Sequence, residues 1–485
     1  MTDEPHAPGT SGAHPIYLAG HWVTSAERLE VADPAHPGQP AGTTYLAGAE
    51  QVEAAIAGAV RGFEAMRRLP AFERSHALRA IAAGIVARRD DIAEIITRES
   101  GKPIRDARVE VDRGALTFRL AAEESERLVG ETIPLDIGPA HAGRLGITRR
   151  FPVGPVAAIS PFNFPLNLAA HKVAPAIAAG CSVVLKPPSA SPLTMLTVAE
   201  IMAETDLPKG AISVLPMSRE LGERLVTDDR FKLLSFTGSP AVGWRMKEVA
   251  GRKRVVLELG GNAGVIVDAS ADLDWAVRRV RMGAFAFSGQ VCISVQRLYV
   301  HESVWGPFME RFVASAAELV MGDPLDPATD LGPMVDAAAV ARAEGWIAEA
   351  VAEGARVLLG GQADGTWFPP TILVDAPPSA RVCSEEAFAP LVVAAPFSDI
   401  ERAFAEINAS RYGLQAGLFS NDLQHAWRAF EVLDVGGVVI NDVPTYRVDH
   451  MPYGGVKDSG IGREGVRFAI EDMTELKLMV MARPG

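Results

Sequence analysis

Past Arg150 the sequence settles into a regular alternation. A short apolar run is followed by a turn of Gly, Pro, Ser or Asn, and then by a helical stretch. The runs VAAIS, SVVLKP, ISVLP, KLLSFTG and RVVLEL succeed one another in this way. Apolar runs this short read as strands buried on both faces, and strands separated by helices pair in parallel. A second block with the same alternation runs from about Ala263 to Lys457, with GVIVD, RLYVH, ARVLLG, LVVAAPF, AGLFS and GGVVIN as its strands. The fold class is therefore α/β, with two sheet-and-helix units meeting near Gly260–Gly261. The length of 485 residues agrees, being too great for one ordinary core. Ligands of such sheets gather beyond the C-terminal ends of the strands, so the polar turns closing each run are where chemistry is expected.

Ahead of these blocks, Val52, Ile56, Val60 and Phe63 recur at helical spacing, as do Leu78, Ile81, Ile85, Ile92 and Ile96, so helices are expected from Ala49 to about Gly130. A two-stranded element is expected over Ile16 to Val23 with Gly20 at its turn, and the first dozen residues are expected to be without fixed structure. The tail TELKLMVMA reads as a strand in need of a sheet, with one in another subunit as a candidate. A net charge of −13 argues against nucleic acid or an acidic membrane surface as a partner. The longest apolar stretch, around Val173 to Leu185, is broken by Pro175, Gly180 and Cys181, so no membrane span is expected. The segment MTDEPHAPGTSG lacks the basic start and apolar run of a secretory signal, and three cysteines cannot make a full disulfide framework. The chain reads as cytoplasmic, with no metal site.

Four local patterns invite a chemical reading. Cys292 sits in FSGQVCISVQR, where the small polar turn Ser288–Gln290 can hold a thiol at a cleft, although a cysteine taken blindly is a packing residue. Cys181 and Cys383 have weaker contexts and read as packing. Glu258 lies inside the apolar run VVLEL before two glycines, where burial would raise its pKa towards general-base use. Asn163, between two prolines at a strand end, is either a turn residue or an amide donor to an oxyanion. Gly238 and Ser239, at a strand-to-helix turn, can offer donors to a pyrophosphate, and Lys186 can reach a ribose or phosphate. No GxGxxG follows a strand.

Taken together, PFNFP at 161–165, LKPPS at 185–189, FTGSPAVG at 236–243, LELGGN at 257–262, GQVCIS at 289–294, EEAFAPL at 385–391 and PYGGVKDSGIGREG at 452–465 resemble the aldehyde dehydrogenase superfamily, in its order and spacing, over nearly the whole chain. The resemblance is strongest to a branch that includes lactaldehyde and non-phosphorylating glyceraldehyde-3-phosphate dehydrogenases. It implies a Rossmann-like cofactor domain (residues 1–130 and 151–260), an α/β catalytic domain (261–458) and a small β oligomerisation element (131–150 and 473–485). It also implies a homodimer or homotetramer. Cys292 would be the nucleophile and Glu258 would activate the hydrolytic water. Asn163 and the Cys292 N–H would hold the oxyanion, at roughly 3 kcal/mol per donor. Ile159, Ser160, Phe162, Lys186, Ser189, Gly238, Ser239, Glu386 and Phe388 would bind NAD or NADP.

The sequence departs from the family in two places. EExFGP reads EEAFAP, putting an extra methyl at Ala389 that could tighten the loop beside the nicotinamide. Ser189 stands where NAD-preferring members often carry Glu, so NADP is expected to be accepted and is a candidate for the preferred form. Phe164 and His171 would line the aldehyde tunnel, with Arg447 near its mouth and Arg113 on another wall. Those cations suit a small polar or anionic aldehyde, although structural ion pairs would account for both arginines equally well. Three rivals stand beside aldehyde oxidation with hydrolysis of the thioester. A CoA-acylating enzyme would commonly lack Glu258, an esterase would have no use for the dinucleotide site, and a non-catalytic role sits poorly with Cys292, Glu258 and Asn163 together.

Overall fold

The computed structural model describes residues 12–482. The segment expected to lack fixed structure falls almost wholly outside that range, as do residues 483–485 of the expected oligomerisation element. Among the described residues the apolar runs assemble into two large sheets. The first, of eight strands, runs in space His21–Val23, Ile16–Leu18, Ile212–Val214, Val183–Lys186, Val156–Ile159, Leu233–Thr237, Arg254–Glu258 and Gly460–Ile461. Its five central strands are parallel. The chain builds outward from Val156–Ile159 on one side, then returns to lay Leu233–Thr237 on the other. A reversal of this kind leaves a crevice beyond the carboxyl ends of the two strands that flank it. Residues 160–163 and 238–239 leave the sheet at that crevice.

Leu259–Asn262 carries the chain from the first sheet into the second. This has seven strands in the order Arg356–Leu359, Thr371–Val374, Leu391–Phe397, Val295–His301, Ala263–Val267, Gln415–Phe419 and Gly437–Ile440. All its pairings are parallel except the first. The α/β reading therefore holds, and every strand named from the apolar runs is present. Ile16–Leu18 and His21–Val23 also pair as expected, with Ala19 at φ 49° and Gly20 at φ 93°, the left-handed pair that a two-residue hairpin turn requires. The helices Ala49–Met66, Ala71–Ala87, Arg89–Ser100 and Ile104–Ser125 fill the stretch read as helical. No helix among the described residues is long and apolar enough to cross a membrane.

One expectation needs correction. The tail strand Thr474–Ala482 does not wait for another subunit, because it pairs antiparallel along its whole length with Arg144–Pro152 of the same chain. Two features gave no usable signal. The hairpin Glu27–Ala32 with Pro40–Leu46 buries only Val31 and Thr44, with Tyr45 partly buried, so its alternation is faint. Thr371–Val374 is four residues long and follows two prolines.

The helix Asn167–Ala179 is buried at every position, because its sequence is small and apolar on all sides except at Asn167, His171 and Lys172. Its entry is fixed by a buried ion pair. Lys102 and Glu110 are both fully enclosed, and the lysine bonds the carboxylate directly. The same ammonium donates to the Asn163 carbonyl at 2.7 Å, while Glu110 accepts from the Leu166 and Asn167 N–H groups at 2.9 and 3.2 Å. Removing one partner of such a pair strands the other in a low dielectric. The substitution Lys102→Met is expected to cost about 3–5 kcal/mol, seen as a lower denaturant midpoint. An unchanged midpoint would contradict the enclosed pairing.

Candidate active site

The nucleophile candidate is presented by a strained turn. Phe287, Ser288 and Gly289 are consecutive left-handed residues, at φ 48°, 52° and 66°. The first two have side chains, and each costs roughly 1–3 kcal/mol in that region. Fixed partners hold the turn. The Ser288 hydroxyl donates to the Gly332 carbonyl at 2.7 Å, and the Gln290 side-chain oxygen accepts from the Val335 N–H at 2.9 Å. The Asn163 amide donates to the Gln290 carbonyl at 2.9 Å. Cys292 follows, only partly buried, with its sulfur 3.1 Å from the Tyr453 hydroxyl. Burial pushes its thiol up to about 12; Tyr453 and Arg447 pull the other way, whereas Glu386 and Glu258 reinforce the rise.

Glu258 ends the strand Arg254–Glu258, is 3% exposed, and neither carboxyl oxygen has a hydrogen-bond partner. Burial and the nearby Glu464 raise its pKa well above the usual carboxylate value. Glu464 behaves oppositely. Burial would raise it too, but Lys172 and Arg447 overcome that and hold it at about 2. The two carboxyls are thus pushed in opposite directions, one ion-paired and favouring its ionised form, the other favouring its protonated form, the arrangement in which two groups take different proton-transfer roles.

A cavity of about 330 Å³ lies at the switch point of the first sheet, lined by Phe162, Asn163, Gly238, Ser239, Glu386 and Phe388, with Cys292 on its wall. Phe162 and Phe388 meet edge to face, centroids 6.0 Å apart. Glu386 accepts from the Gly261 N–H at 2.9 Å, and burial pushes its carboxyl up to about 7. The Ser160 hydroxyl, at the end of the strand that contains Ile159, is buried without a partner. Unsatisfied donors and acceptors at strand ends are what a dinucleotide's riboses and pyrophosphate would engage, so the residues present fit such a group. Lys186 ends the neighbouring strand, its pKa lowered by burial and by Arg219, while Ser189 is exposed three residues on. The Ala389 methyl does not crowd the cavity; it is buried in the apolar cluster with Met334, Val340 and Trp346.

The four residues expected around the aldehyde are spread over a buried polar network. Arg113 pairs with Asp449 at 2.8 Å, and the His171 ring meets the same carboxylate at 2.9 Å. Burial and Arg447 lower the His171 pKa, so the imidazole is neutral. Arg447 bonds Glu464 at 2.8 Å with its side chain 6% exposed, enclosed rather than at a mouth. Phe164 packs edge-on against Phe287, with the Lys102 ammonium 3.8 Å from its ring centroid. The ion-pair reading of both arginines is thus realised, although the Arg447 Nε and the His171 Nδ1 are left without partners.

Residues 22–479 match the profile described as the aldehyde dehydrogenase family. The chain belongs to the aldehyde dehydrogenase family. It is 44% identical to the 3-sulfolactaldehyde dehydrogenase of Priestia aryabhattai over 467 residues, covering 96% of this chain and 97% of the relative. Its fold superposes on aldehyde dehydrogenase 21 from Physcomitrella patens, solved with the reaction product succinate, with a TM-score of 0.96 at 47% identity, covering 98% and 99% of the two chains. It also superposes on the glyceraldehyde-3-phosphate dehydrogenase GapN of Methanocaldococcus jannaschii, solved with NADP, with a TM-score of 0.91 at 39% identity, covering 95% and 100%. The protein is an NAD(P)-dependent oxidoreductase acting on aldehydes.

For this aldehyde dehydrogenase the sequence reading missed Lys102, Lys172, Arg219, Asp449, Tyr453 and Glu464. A charged residue inside an all-apolar helix, as Lys172 is, was the available signal; the rest lie in loops or on surfaces where charge is unremarkable. The two glycines of LELGGN have a steric reason. A Cβ on Gly261 would lie 2.1 Å from the Cys292 carbonyl oxygen, and one on Gly260 would lie 2.4 Å from the Glu386 carboxylate. Gly261→Ala is therefore expected to displace the thiol loop and cut turnover about a hundredfold, the scale of a 1 Å misplacement. Formation of reduced cofactor checks it; wild-type rates would show that the loop can shift without cost.

Proposed function

We propose that Cys292 attacks the aldehyde carbon and that Glu258 activates the water releasing the product. The carrying observation is that the Cys292 thiol and Asn163 line one crevice at the switch point, with the hydrogen-bond-free Glu258 carboxyl near enough to the sulfur to oppose its ionisation. As the sulfur–carbon bond forms, the carbonyl electrons move to oxygen. Asn163 has given one amide hydrogen to Gln290 and keeps its second for that oxyanion, beside the Cys292 N–H. A nicotinamide cofactor, when bound, would supply the hydride acceptor, and Ile159, Ser160, Phe162, Lys186, Ser189, Gly238, Ser239, Glu386 and Phe388 would hold it. The resulting thioester stays on Cys292 until Glu258 takes a proton from water, whose oxygen attacks the acyl carbon and expels the thiolate. Glu258 must be ionised for this step and its pKa is raised, so hydrolysis gains as pH rises through that value and falls below it. Presence of this base favours hydrolysis over transfer to CoA. Glu258→Gln is expected to stop at the acyl-enzyme, giving one reduced cofactor per site followed by a steady state lower by about 10²–10⁴. Stopped-flow absorbance reads both phases, and full steady turnover would remove Glu258 from this role.

The preferred substrate in this reading is a small polar aldehyde carrying a negative charge. Arg113, Lys172 and Arg447 are gathered in the buried network against the carboxylates of Asp449 and Glu464. The Arg447 Nε is left unpartnered, a buried cationic donor open to a substrate's negative group. The sulfonate in one relative's name and the succinate in another's crystal agree with this chemistry. NADP is the expected cofactor preference, because Ser189 stands where a glutamate would repel a 2′-phosphate, and Arg219 beside Lys186 adds positive charge. Steady-state turnover with NAD and NADP against lactaldehyde, glyceraldehyde 3-phosphate, succinic semialdehyde and hexanal tests both points, with Cys292→Ala as blank. At least about tenfold better kcat/KM for a charged aldehyde is expected, the value of one charge-assisted bond. Equal rates with lactaldehyde would sink the anionic reading.

The setting proposed is cytoplasmic. Residues 1–130 and 151–260 are assigned to cofactor binding, 261–458 to catalysis, and 131–150 with 473–485 to assembly of a dimer or a pair of dimers. The assembly reading is supported by the exposed side chains of Leu476, Leu478, Met479, Val480 and Met481 on the tail strand, a contiguous apolar run of the kind that marks an interaction surface.

A further inference from the structure

We propose that the Tyr453 hydroxyl is a catalytic hydrogen-bond donor to the Cys292 thiolate, with the Arg447 guanidinium stacked on its ring. The inference rests on Cys292 being the nucleophile and adds a residue that this role does not itself require. The hydroxyl lies 3.1 Å from the sulfur. A thiol can donate or accept across that distance, but a thiolate has no hydrogen, so in the reactive form Tyr453 must be the donor. A bond to an ionised acceptor is roughly twice as strong as one between neutral groups, so the contact favours the thiolate over the thiol.

The rest of the geometry serves that donor. The Tyr453 ring is 3% exposed and packs with Ile293, Leu414 and Cys292. Its backbone is clamped to Glu464 by two hydrogen bonds, Tyr453 N–H to Glu464 O at 3.0 Å and Glu464 N–H to Tyr453 O at 2.6 Å. The Glu464 carboxylate holds Arg447, whose Cζ stands 3.8 Å from the Tyr453 ring centroid. One residue thus fixes both the phenol and the cation on it. A cation against the ring face draws electron density from the oxygen and strengthens the O–H as a donor.

The surroundings show why a donor is needed. Burial, Glu386 and Glu258 all oppose ionisation of Cys292. Lys172 and Arg463 act on Glu258 and do not figure among the leading influences on the sulfur. Among the described residues, Tyr453 supplies the hydrogen bond to that sulfur, and Arg447 is the cation that eases its charge. A phenylalanine at 453 would keep the packing and lose the donor, which gives a clean comparison.

The test is the pH dependence of inactivation by iodoacetamide, a neutral reagent that reports the thiolate without needing the substrate's charge to be recognised. Wild type, Tyr453→Phe and Cys292→Ala would be compared as whole enzymes, with NADP binding measured to confirm an intact crevice. Tyr453→Phe is expected to move the alkylation midpoint up by about one pH unit and to lower kcat/KM roughly tenfold near neutral pH. The deficit should shrink as pH rises and the thiolate forms unaided, with KM for the aldehyde little changed. An unmoved midpoint, with or without loss of turnover, overturns the proposal. Should Cys292→Ala retain turnover, the nucleophile assignment itself fails, which is a separate result from the Tyr453 comparison.

Discussion

Three consecutive left-handed residues, Phe287 to Gly289, are the constraint on which the site depends. Left alone, a chain would relax out of that conformation, because two of the three carry side chains. The turn persists because Gly332, Val335 and Asn163 each take one of its polar groups, and because Gly261 has no Cβ to push it away. These partners come from different parts of the chain, so the position of the thiol is set by the folded whole. Local conformational strain is held against long-range hydrogen bonds, as is common where geometry must be fixed before substrate arrives.

The second organising fact is how charge is distributed in a nearly dry interior. Glu258 and Glu464 are neighbours with the same chemistry, yet cations surround one more closely than the other. Helix Asn167–Ala179 supplies both Lys172 and His171 to this network and is itself held at its start by Glu110. Burying so many ionisable groups is costly unless each finds a counterpart. Those that do not are the Glu258 oxygens, the His171 Nδ1 and the Arg447 Nε.

Much of the architecture was legible in the sequence because a parallel strand buried on both faces must be apolar throughout, and VAAIS or GVIVD can hardly be anything else. The hairpin at Glu27–Leu46 was hidden because a half-exposed ribbon needs little apolar patterning. The tail strand was read correctly as a strand, and the family resemblance grouped it with 131–150; its local sequence left the partner open, since pairing between Thr474–Ala482 and Arg144–Pro152 spans more than 300 residues and leaves no local trace. Cys292, Glu258 and Asn163 could be singled out because each interrupts its context. Arg447 and Arg113 were visible as charges, but whether a charge meets a ligand or a carboxylate depends on Glu464 and Asp449, which lie elsewhere in the sequence. Tyr453 looked like one aromatic in a glycine-rich loop, and only the fold brings its hydroxyl to the sulfur.

The loop from 452 to 465 is stitched to both halves of the molecule. Gly460–Ile461 is the last strand of the first sheet, while Val456–Lys457 pairs with Tyr412–Gly413, immediately ahead of a strand of the second. Ser459 bonds Gly260 on one side and Gly413 on the other. Tyr453 and Glu464 stand at the two ends of this stitch. A hinge motion that opened the crevice would therefore tug on the phenol and on the carboxylate in the same stroke, so the chemical state of the thiol registers whether the two halves are together.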